Sequence, residues 1–416
     1  MTVLRTATPA QLEQAIAANH RVFFRMQALM AGGEERQTGG IVWTRVGGEA
    51  GSNIAFPSLP PAGAGPLLDQ LMEAYQETPP RQAGCWSLDP PQPADLGLLL
   101  LARGFQPGWR PHWMALDLER DLPDGYAVPS GLRIVADQTT AAVGDLPYAG
   151  SNVLMQSGAS ENALTQRFVA RLNDEVVGHS GVLCTRGPLG VAGMYNVGVR
   201  PRYQGQGIGK ALVLATCRYA REAGWRYAVL NASNDGKRIY TQLGFQSLGD
   251  GWTWWLMADR WLGPPTRAQV ALAEAIGRGD VAGLDPFPED LNKPMANGMT
   301  LMELAIHLQQ PASVSWLMSR GVPLRPLDAW DLGWRDRAST LLSEQPSLVN
   351  EVHGVGKLTL LHTAIERDDI DLLRLALASN PDLSIVDKAY QGTALGWAYH
   401  FGRQEMVRLI EAQSAS

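Results

Sequence analysis

Residues 197–211 run V-G-V-R-P-R-Y-Q-G-Q-G-I-G-K-A, and the architecture can be worked out from them in both directions. An apolar strand, Met194–Val199, passes through Pro201 into a glycine-rich turn, Gln204 to Gly209, and then into a helical pattern from Lys210 to about Glu222. Strand, glycine turn and helix start together present free backbone N–H groups and the positive end of a helix dipole to an anion. The glycines let the main chain approach a phosphate with no side chain between. A Walker loop needs Ser or Thr after its lysine, and here Ala211 follows Lys210. A dinucleotide fingerprint needs G-x-G-x-x-G and an acid closing the next strand; here the spacing is G-x-G-x-G and that strand ends in Asn231. Both nucleotide readings fail.

Downstream lies a second block: Leu230-Asn231-Ala232-Ser233, then Gly236, Ile239-Tyr240 and Leu243-Gly244-Phe245. Gln204-x-x-Gly207-x-Gly209 matches the Q/R-x-x-G-x-G/A signature of the GNAT N-acetyltransferases, and Asn196–Val199 resembles that family's fourth strand. The second block resembles its fifth strand and following helix. The resemblance implies an α+β GNAT fold with a mixed, mostly antiparallel sheet. It implies acetyl-CoA as co-substrate and direct attack of an amine on the thioester in a ternary complex. Gln204, Gly205, Gln206, Gly207, Ile208 and Gly209, with Lys210, would then hold the CoA pyrophosphate, and Arg200 and Arg202 flank that loop. Main-chain N–H groups at Val197 and Val199 would bind pantetheine and polarise the thioester carbonyl. Asn231, Ser233 and Asn234 would contact the CoA arm. Tyr240 falls where many members place a general acid for the departing thiolate, a role suited to a phenol. No general base is legible: His179 shares a strand face with Val177 and Leu183 and reads as packed. The implied acceptor is a small-molecule amine.

Upstream, Thr8-Pro9-Ala10-Gln11 reads as a capped helix start. Ile41–Val46 and His112–Leu118 are strand-like; Leu67–Tyr75 and Leu98–Ala102 are helical. Leu101–Gln106 resembles Gln242–Gln246, with Gly104-Phe105 and Gly244-Phe245 offset by 140 residues (244 − 104). Gly63-Ala64-Gly65 precedes a helix as Gly205-Gln206-Gly207 does, at an offset of 142 (205 − 63). These matches predict an internal duplication. In the first copy Ala62 and Leu67 stand where Gln204 and Gly209 should be, and Leu100 stands for Tyr240. That copy therefore reads as degenerate, kept for structure or for shaping the acceptor cleft. A Pro/Gly-rich linker at Asp121–Ser130 separates the copies. In the second copy, Phe168–Leu172 and Glu175–Cys184 form a hairpin about Asn173-Asp174, and the segment 136–166 is short for an acceptor wall.

Beyond Pro264 the pattern changes to paired short helices. Thr359–Ala364 and Thr393–Ala398 each resemble the ankyrin T-P-L-H-x-A signature and lie 34 residues apart (393 − 359). Thr300–Ala305 is a weaker third case. His362 is the motif histidine, structural in role. The expected organisation is a degenerate GNAT-like domain over 1–126, a GNAT acetyltransferase domain over 127–262, and an all-α ankyrin solenoid over 263–416. Such repeats imply a protein partner, and with it an alternative acceptor: a protein lysine or N-terminal amine. A non-catalytic CoA-binding scaffold is a further alternative.

Composition bounds the rest. At 416 residues, 45% apolar and 18% charged with net charge −6, the chain suits cored domains and not bulk attraction to nucleic acid or an anionic membrane. No basic flank and apolar core mark a signal peptide, and the longest aliphatic block, Leu96–Ala102, is too short to span a bilayer. Cys85, Cys184 and Cys217 are scattered, with no metal-type spacing; they read as reduced core thiols of a cytoplasmic protein.

Overall fold

The computed structural model describes residues 2–46, 51–77, 79–123, 126–137, 146–148, 163–284, 290–354 and 356–414. These fall into two compact units, residues Met1–Gly97 with Pro107–Trp255, and Leu98–Gln106 with Leu256–Ser416. Most of the 136–166 segment and part of the 121–130 linker lie outside the described residues.

The first unit opens with α1 (Pro9–Met30), whose Thr8 and Gln11 close the expected capping box. Along the chain there follow β1 (Glu34–Thr38), β2 (Ile41–Arg45), β3 (Ser52–Ala55), α2 (Ala64–Glu77), β4 (Gln82–Leu88), α3 (Leu96–Ala102), which from Leu98 on is counted with the second unit, β5 (Gln106–Pro107) at the boundary, and β6 (His112–Asp117). The chain continues through β7 (Arg133–Asp137), β8 (Ala163–Leu172), β9 (Glu175–Thr185), β10 (Ala192–Val199), α4 (Ile208–Glu222), β11 (Tyr227–Ala232), α5 (Asn234–Gln242) and β12 (Gln246–Met257). Asn173 and Asp174 turn the β8–β9 hairpin with φ of 48° and 64°, the left-handed pair a tight primed turn needs.

The strands form a single mixed α+β sheet in the order β1-β2-β3-β4-β12-β6-β11-β10-β9-β8-β7. Within it β3–β4 and β10–β11 pair in parallel. Its centre is an exchange. β6 sits between β11 and β12, and β12 lies beside β4, so each half of the sheet is completed by a strand from the other half of the chain. β6 can take this place because both its faces are apolar. Met114 and Leu116 join a core with Leu230, Phe245 and the buried side of α4. Trp113 and Ala115 join another with α1, Tyr195 and Val229.

Helix α1 is pinned to the far half of the sheet. The Asn19 amide donates to Leu183 O, Thr185 Oγ1 and Val191 O, and its own oxygen accepts from the Tyr195 hydroxyl at 2.6 Å. Gly193 makes that approach feasible, because a Cβ there would stand 2.0 Å from the Asn19 oxygen.

Two expectations change, and three strands carry no expectation. Helix α4 starts at Ile208 and not at Lys210, with Gly207 as its cap residue. Gly63-Ala64-Gly65 does not precede a helix: a 3-10 turn over Pro61–Gly63 runs directly into α2 at Ala64. β1, β3 and β4 went unread; β3 and β4 are buried on both faces and carry no alternation for a period-two pattern to reveal.

The second unit is helical. It comprises α6 (Arg267–Arg278), α7 (Leu301–His307), α8 (Pro311–Ser319), α9 (Pro326–Asp331), α10 (Arg335–Glu344), α11 (Leu360–Arg367), α12 (Ile370–Leu377), α13 (Ala394–His400) and α14 (Gln404–Ser414). The last eight pack as successive pairs, with α11 on α13 and α12 on α14 from one pair to the next. His362 Nδ1 bonds the Thr359 hydroxyl at 2.8 Å, and Nε2 donates to Gly392 O at 3.0 Å in the following pair. No described helix of either unit is long and apolar enough to cross a membrane.

Candidate active site

The site begins with a failure of pairing. β10 and β11 are registered as parallel neighbours only at Ala192↔Ala228 and Gly193↔Val229, although β10 runs on to Val199 and β11 to Ala232. Past Gly193 the two strands diverge. At the same point β10 carries a bulge: Asn196 and Val197 oppose the single residue Ser180 of β9, and Asn196 has φ of 55°. A bulge takes main-chain groups out of the ladder and re-aims them. The wedge between the strands opens into a cleft of about 1730 Å³ that both halves of the sheet unit line.

The glycine turn forms one wall. Gln204 Nε2 donates to Val199 O at 3.1 Å, tying the turn to the end of β10. Gly205 and Gly207 are left-handed, with φ of 76° and 80°, and a Cβ on Gly207 would stand 2.3 Å from Ala127 O. Ile208 is buried and anchors the start of α4. The first turn of α4 holds no acid, so its N–H groups face the cleft without a competing carboxylate. Lys210 Nζ lies 4.7 Å from the Tyr126 ring centroid, over the same wall.

Of the residues the sequence proposes, the cleft collects Val197, Val199, Gln204, Gly205, Gly207, Ile208, Gly209, Lys210, Asn231, Ser233 and Tyr240. Gln206 is not among them; its amide donates back to Arg202 O at 3.5 Å. Asn234 is the first residue of α5, and its side chain lies outside the described set. Ser233 caps α5, its hydroxyl accepting from Gly236 N at 3.2 Å. Arg200 and Arg202, read as flanking charge for phosphate, both donate to Glu175, which also accepts from the Tyr203 hydroxyl at 2.8 Å. Those hydrogen bonds hold the Glu175 carboxyl below its usual range.

Tyr240 projects from α5 and meets Phe245 edge-on at 5.8 Å. Gly236 leaves room for its ring, since a Cβ there would lie 3.1 Å from Tyr240 Cε2. Burial, with Tyr148 adding a smaller electrostatic push, raises the phenol to about 12. A hydroxyl in that state stays protonated and acts as a donor throughout the neutral range. His179 is packed: its Nε2–H donates to Pro147 O at 2.6 Å, and burial lowers its pKa.

The opposite wall was not legible in the sequence. It is built from Phe23 and Phe24 of α1, Trp86 of β4, Trp109 between β5 and β6, and Trp255 of β12, with His20 beside them. Phe23 stacks on Tyr195 at 3.8 Å and 8°, which joins this wall to the residue just before the bulge. His20 is ringed by Phe23, Phe24, Phe56, Trp86, Trp113 and Tyr195, and burial there pushes it down to about 4. The only hint in the sequence is a high tryptophan count, 13, scattered too widely to form a motif. Among the described residues no three His, Cys, Asp or Glu side chains converge as a metal site would require.

Residues 164–247 match the family described as the acetyltransferase (GNAT) domain. Over 138 residues the chain is 31% identical to glucosamine 6-phosphate N-acetyltransferase of Trypanosoma brucei brucei, covering 32% of this chain and 91% of that protein. A shorter match, 43% identical over 58 residues, is to mycothiol acetyltransferase of Nocardiopsis dassonvillei and covers 13% of this chain and 18% of that one. Among solved structures, a GCN5-related N-acetyltransferase from Kribbella flavida is similar over 57% of this chain and 95% of its own, with 19% identity and a TM-score of 0.45.

Proposed function

Since the chain belongs to the GNAT family of acetyltransferases, which use acetyl-CoA, we propose that the wedge between β10 and β11 binds acetyl-CoA and passes its acetyl group to a small-molecule primary amine. The observation that carries this reading is the juxtaposition of three features on one cleft: the diverging strands, the bulge at Asn196-Val197, and the acid-free helix start at Gly207-Ile208.

Acetyl-CoA supplies the activated thioester carbon. In this reading the N–H groups of the glycine turn and the first turn of α4 hold the pyrophosphate, with Lys210 adding charge. Main-chain N–H groups at Val197 and Val199 receive the pantetheine and the carbonyl oxygen, stabilising the oxyanion of the addition step. The amine nitrogen attacks the carbonyl carbon, a C–N bond forms and the C–S bond breaks. Tyr240 gives its proton to the departing sulfur, the amine's surplus proton leaves to solvent, and solvent reprotonates the Tyr240 phenolate. Asn231 lies at the wedge edge of β11, within the arm's path. Ser233 serves the site indirectly by capping the helix that carries Tyr240. The relatives named above act on an amino-sugar phosphate and on mycothiol, which favours a small acceptor.

The sheet unit is read here as two GNAT-like copies, over 1–126 and 127–262, of which the first has lost its turn and supplies most of the acceptor wall. The exchange of β6 and β12 supports a duplicated origin. The helical unit is read as ankyrin-type repeats on the strength of its stacked pairs and the Thr359–His362–Gly392 link. A protein-recruiting role for 263–416 alongside the small acceptor rests on that repeat reading.

A thiol-release assay with acetyl-CoA and an amine panel tests the assignment, with Tyr240→Phe as the diagnostic variant. Loss of the acid should lower kcat by about 10²-fold or more and leave the acetyl-CoA KM nearly unchanged. An unchanged kcat would remove Tyr240 from the chemistry.

A further inference from the structure

Resting on the reading of the cleft as an acetyl-CoA site, we propose that its acceptor is a primary amine carried by a planar aromatic ring, seated against the wall formed by Phe23, Phe24, Trp86, Trp109 and Trp255. The rings are arranged as a surface. Trp86 meets Trp109 edge-on at 5.8 Å and Trp255 at 6.0 Å and 74°, while Phe24 tilts against Trp86 at 5.5 Å. Such edge-to-face arrays leave ring faces and C–H edges for a further aromatic partner.

Two of the indole donors are already occupied. Trp86 Nε1–H donates to Asn53 Oδ1 at 3.0 Å, and Trp255 Nε1–H to Thr253 Oγ1 at 3.3 Å. What these two tryptophans offer the cleft is therefore apolar surface and not hydrogen bonds to hydroxyls. The position of Trp255 is built in by two glycines. A Cβ on Gly84 would stand 2.8 Å from its ring, and one on Gly108 2.5 Å from it. Trp109, beside Gly108, is 42% exposed, which is high for so large an apolar ring.

Charge points the same way. The described residues lining the cleft include no Asp or Glu, and their side-chain cations, Lys210 and Arg238, belong to α4 and α5 on the glycine-turn side. Among the described residues the aromatic side thus carries no carboxylate and no cation, and its polar lining, Gln27, Ser52, Asn53 and Gln82, is uncharged. That lining suits an uncharged ring. The volume suits the assignment: about 1730 Å³ exceeds the roughly 300–1,000 Å³ of a pocket for one small ligand, leaving space for an acceptor beside the CoA arm.

The test compares four acceptors on the full-length protein: tryptamine, 4-methoxyaniline, glucosamine 6-phosphate and lysine. Both aromatic amines should exceed both others in kcat/KM by about tenfold or more, and their order reports how far the nitrogen sits from the ring. Trp109→Ala, at a partly exposed position that does not endanger folding, should raise the KM of the aromatic amines about tenfold. Trp86→Phe, which keeps a ring but loses the indole, should lie between. Higher kcat/KM for glucosamine 6-phosphate or lysine would overturn the aromatic assignment while leaving acetyl-CoA use intact. So would an equal effect of Trp109→Ala on all four acceptors. Absence of acetyl-CoA binding by calorimetry would instead remove the reading of the cleft itself.

Discussion

The sheet unit contains the same arrangement twice, a hairpin strand leading to a parallel pair, and the two pairs behave differently. β3 and β4 are registered along the whole of β3, from Ser52↔Ala83 to Ala55↔Trp86, and Phe56 N–H extends the pairing by donating to Trp86 O at 2.9 Å. The carbonyls at the end of that strand are also taken, because Arg21 of α1 donates to Ala55 O and Phe56 O. β10 and β11 are registered at two positions and then part. A parallel pair that closes is scaffold; one that opens offers main-chain groups to a ligand. The turns follow suit: Gly205 and Gly207 take left-handed conformations, whereas Pro61–Gly63 is a 3-10 turn feeding a continuous helix.

The most drastic way to break the comparison is to separate its halves. Residues 127–262 expressed alone lack β6, so β11 would lose its antiparallel neighbour along all of Tyr227–Ala232, and the cores around Met114, Leu116 and Trp113 would open. We expect no cooperative unfolding transition and no acetyl-CoA turnover from that fragment, and recovery of both when residues 1–126 are co-expressed. A fragment that folds alone would show that the exchanged strand is dispensable.

A finer cut swaps equivalent glycines. Gly207→Ala must adopt φ near 80° at about 1–2 kcal/mol and also displace Ala127 O, 2.3 Å from the new Cβ. Its acetyl-CoA KM should rise by about tenfold to a hundredfold. Gly65→Ala, the matched change by sequence offset, falls inside α2 and should leave KM alone while changing stability by less than about 1 kcal/mol. Equal effects on KM would mean that the first turn still contacts the ligand.

How much of this was legible depends on the range of the interaction. The glycine turn, α4, the Asn173-Asp174 hairpin and the Thr8–Gln11 cap are local, set by residues within a few positions of one another, and the sequence carries them. β3 and β4 have no exposed face, so their short apolar runs give no period to read. The β6–β12 exchange has no local signal at all, because any both-sided apolar strand could fill either slot. The aromatic wall spans residues 23 to 255 and exists only after the sheet has formed. Within the turn, the sequence assigns Gln206 a role through its main-chain N–H, and its side-chain amide is spent on Arg202 O.

The smallest effect concerns acid, and it sharpens how the halves depend on each other. His20 belongs to the first half but is sealed among aromatic rings shared with the second, and it titrates at about 4 against 6.5 when unfolded. Between those values the unfolded chain binds the proton and the folded one does not, so stability rises with pH across that window and is lost as pH falls. One pKa unit corresponds to about 1.4 kcal/mol, so lowering the pH from 8 to 5 should remove about 2 kcal/mol from the sheet unit through this residue. His20→Asn keeps a short donor for Ile16 O but cannot titrate, and it should flatten that part of the slope. Hydrogen exchange read peptide by peptide separates the sheet unit from the helical one, where His353 is lowered to about 4 as well. A slope in the sheet peptides that survives His20→Asn would place the acid sensitivity elsewhere, with buried His179 of β9 the next residue to substitute.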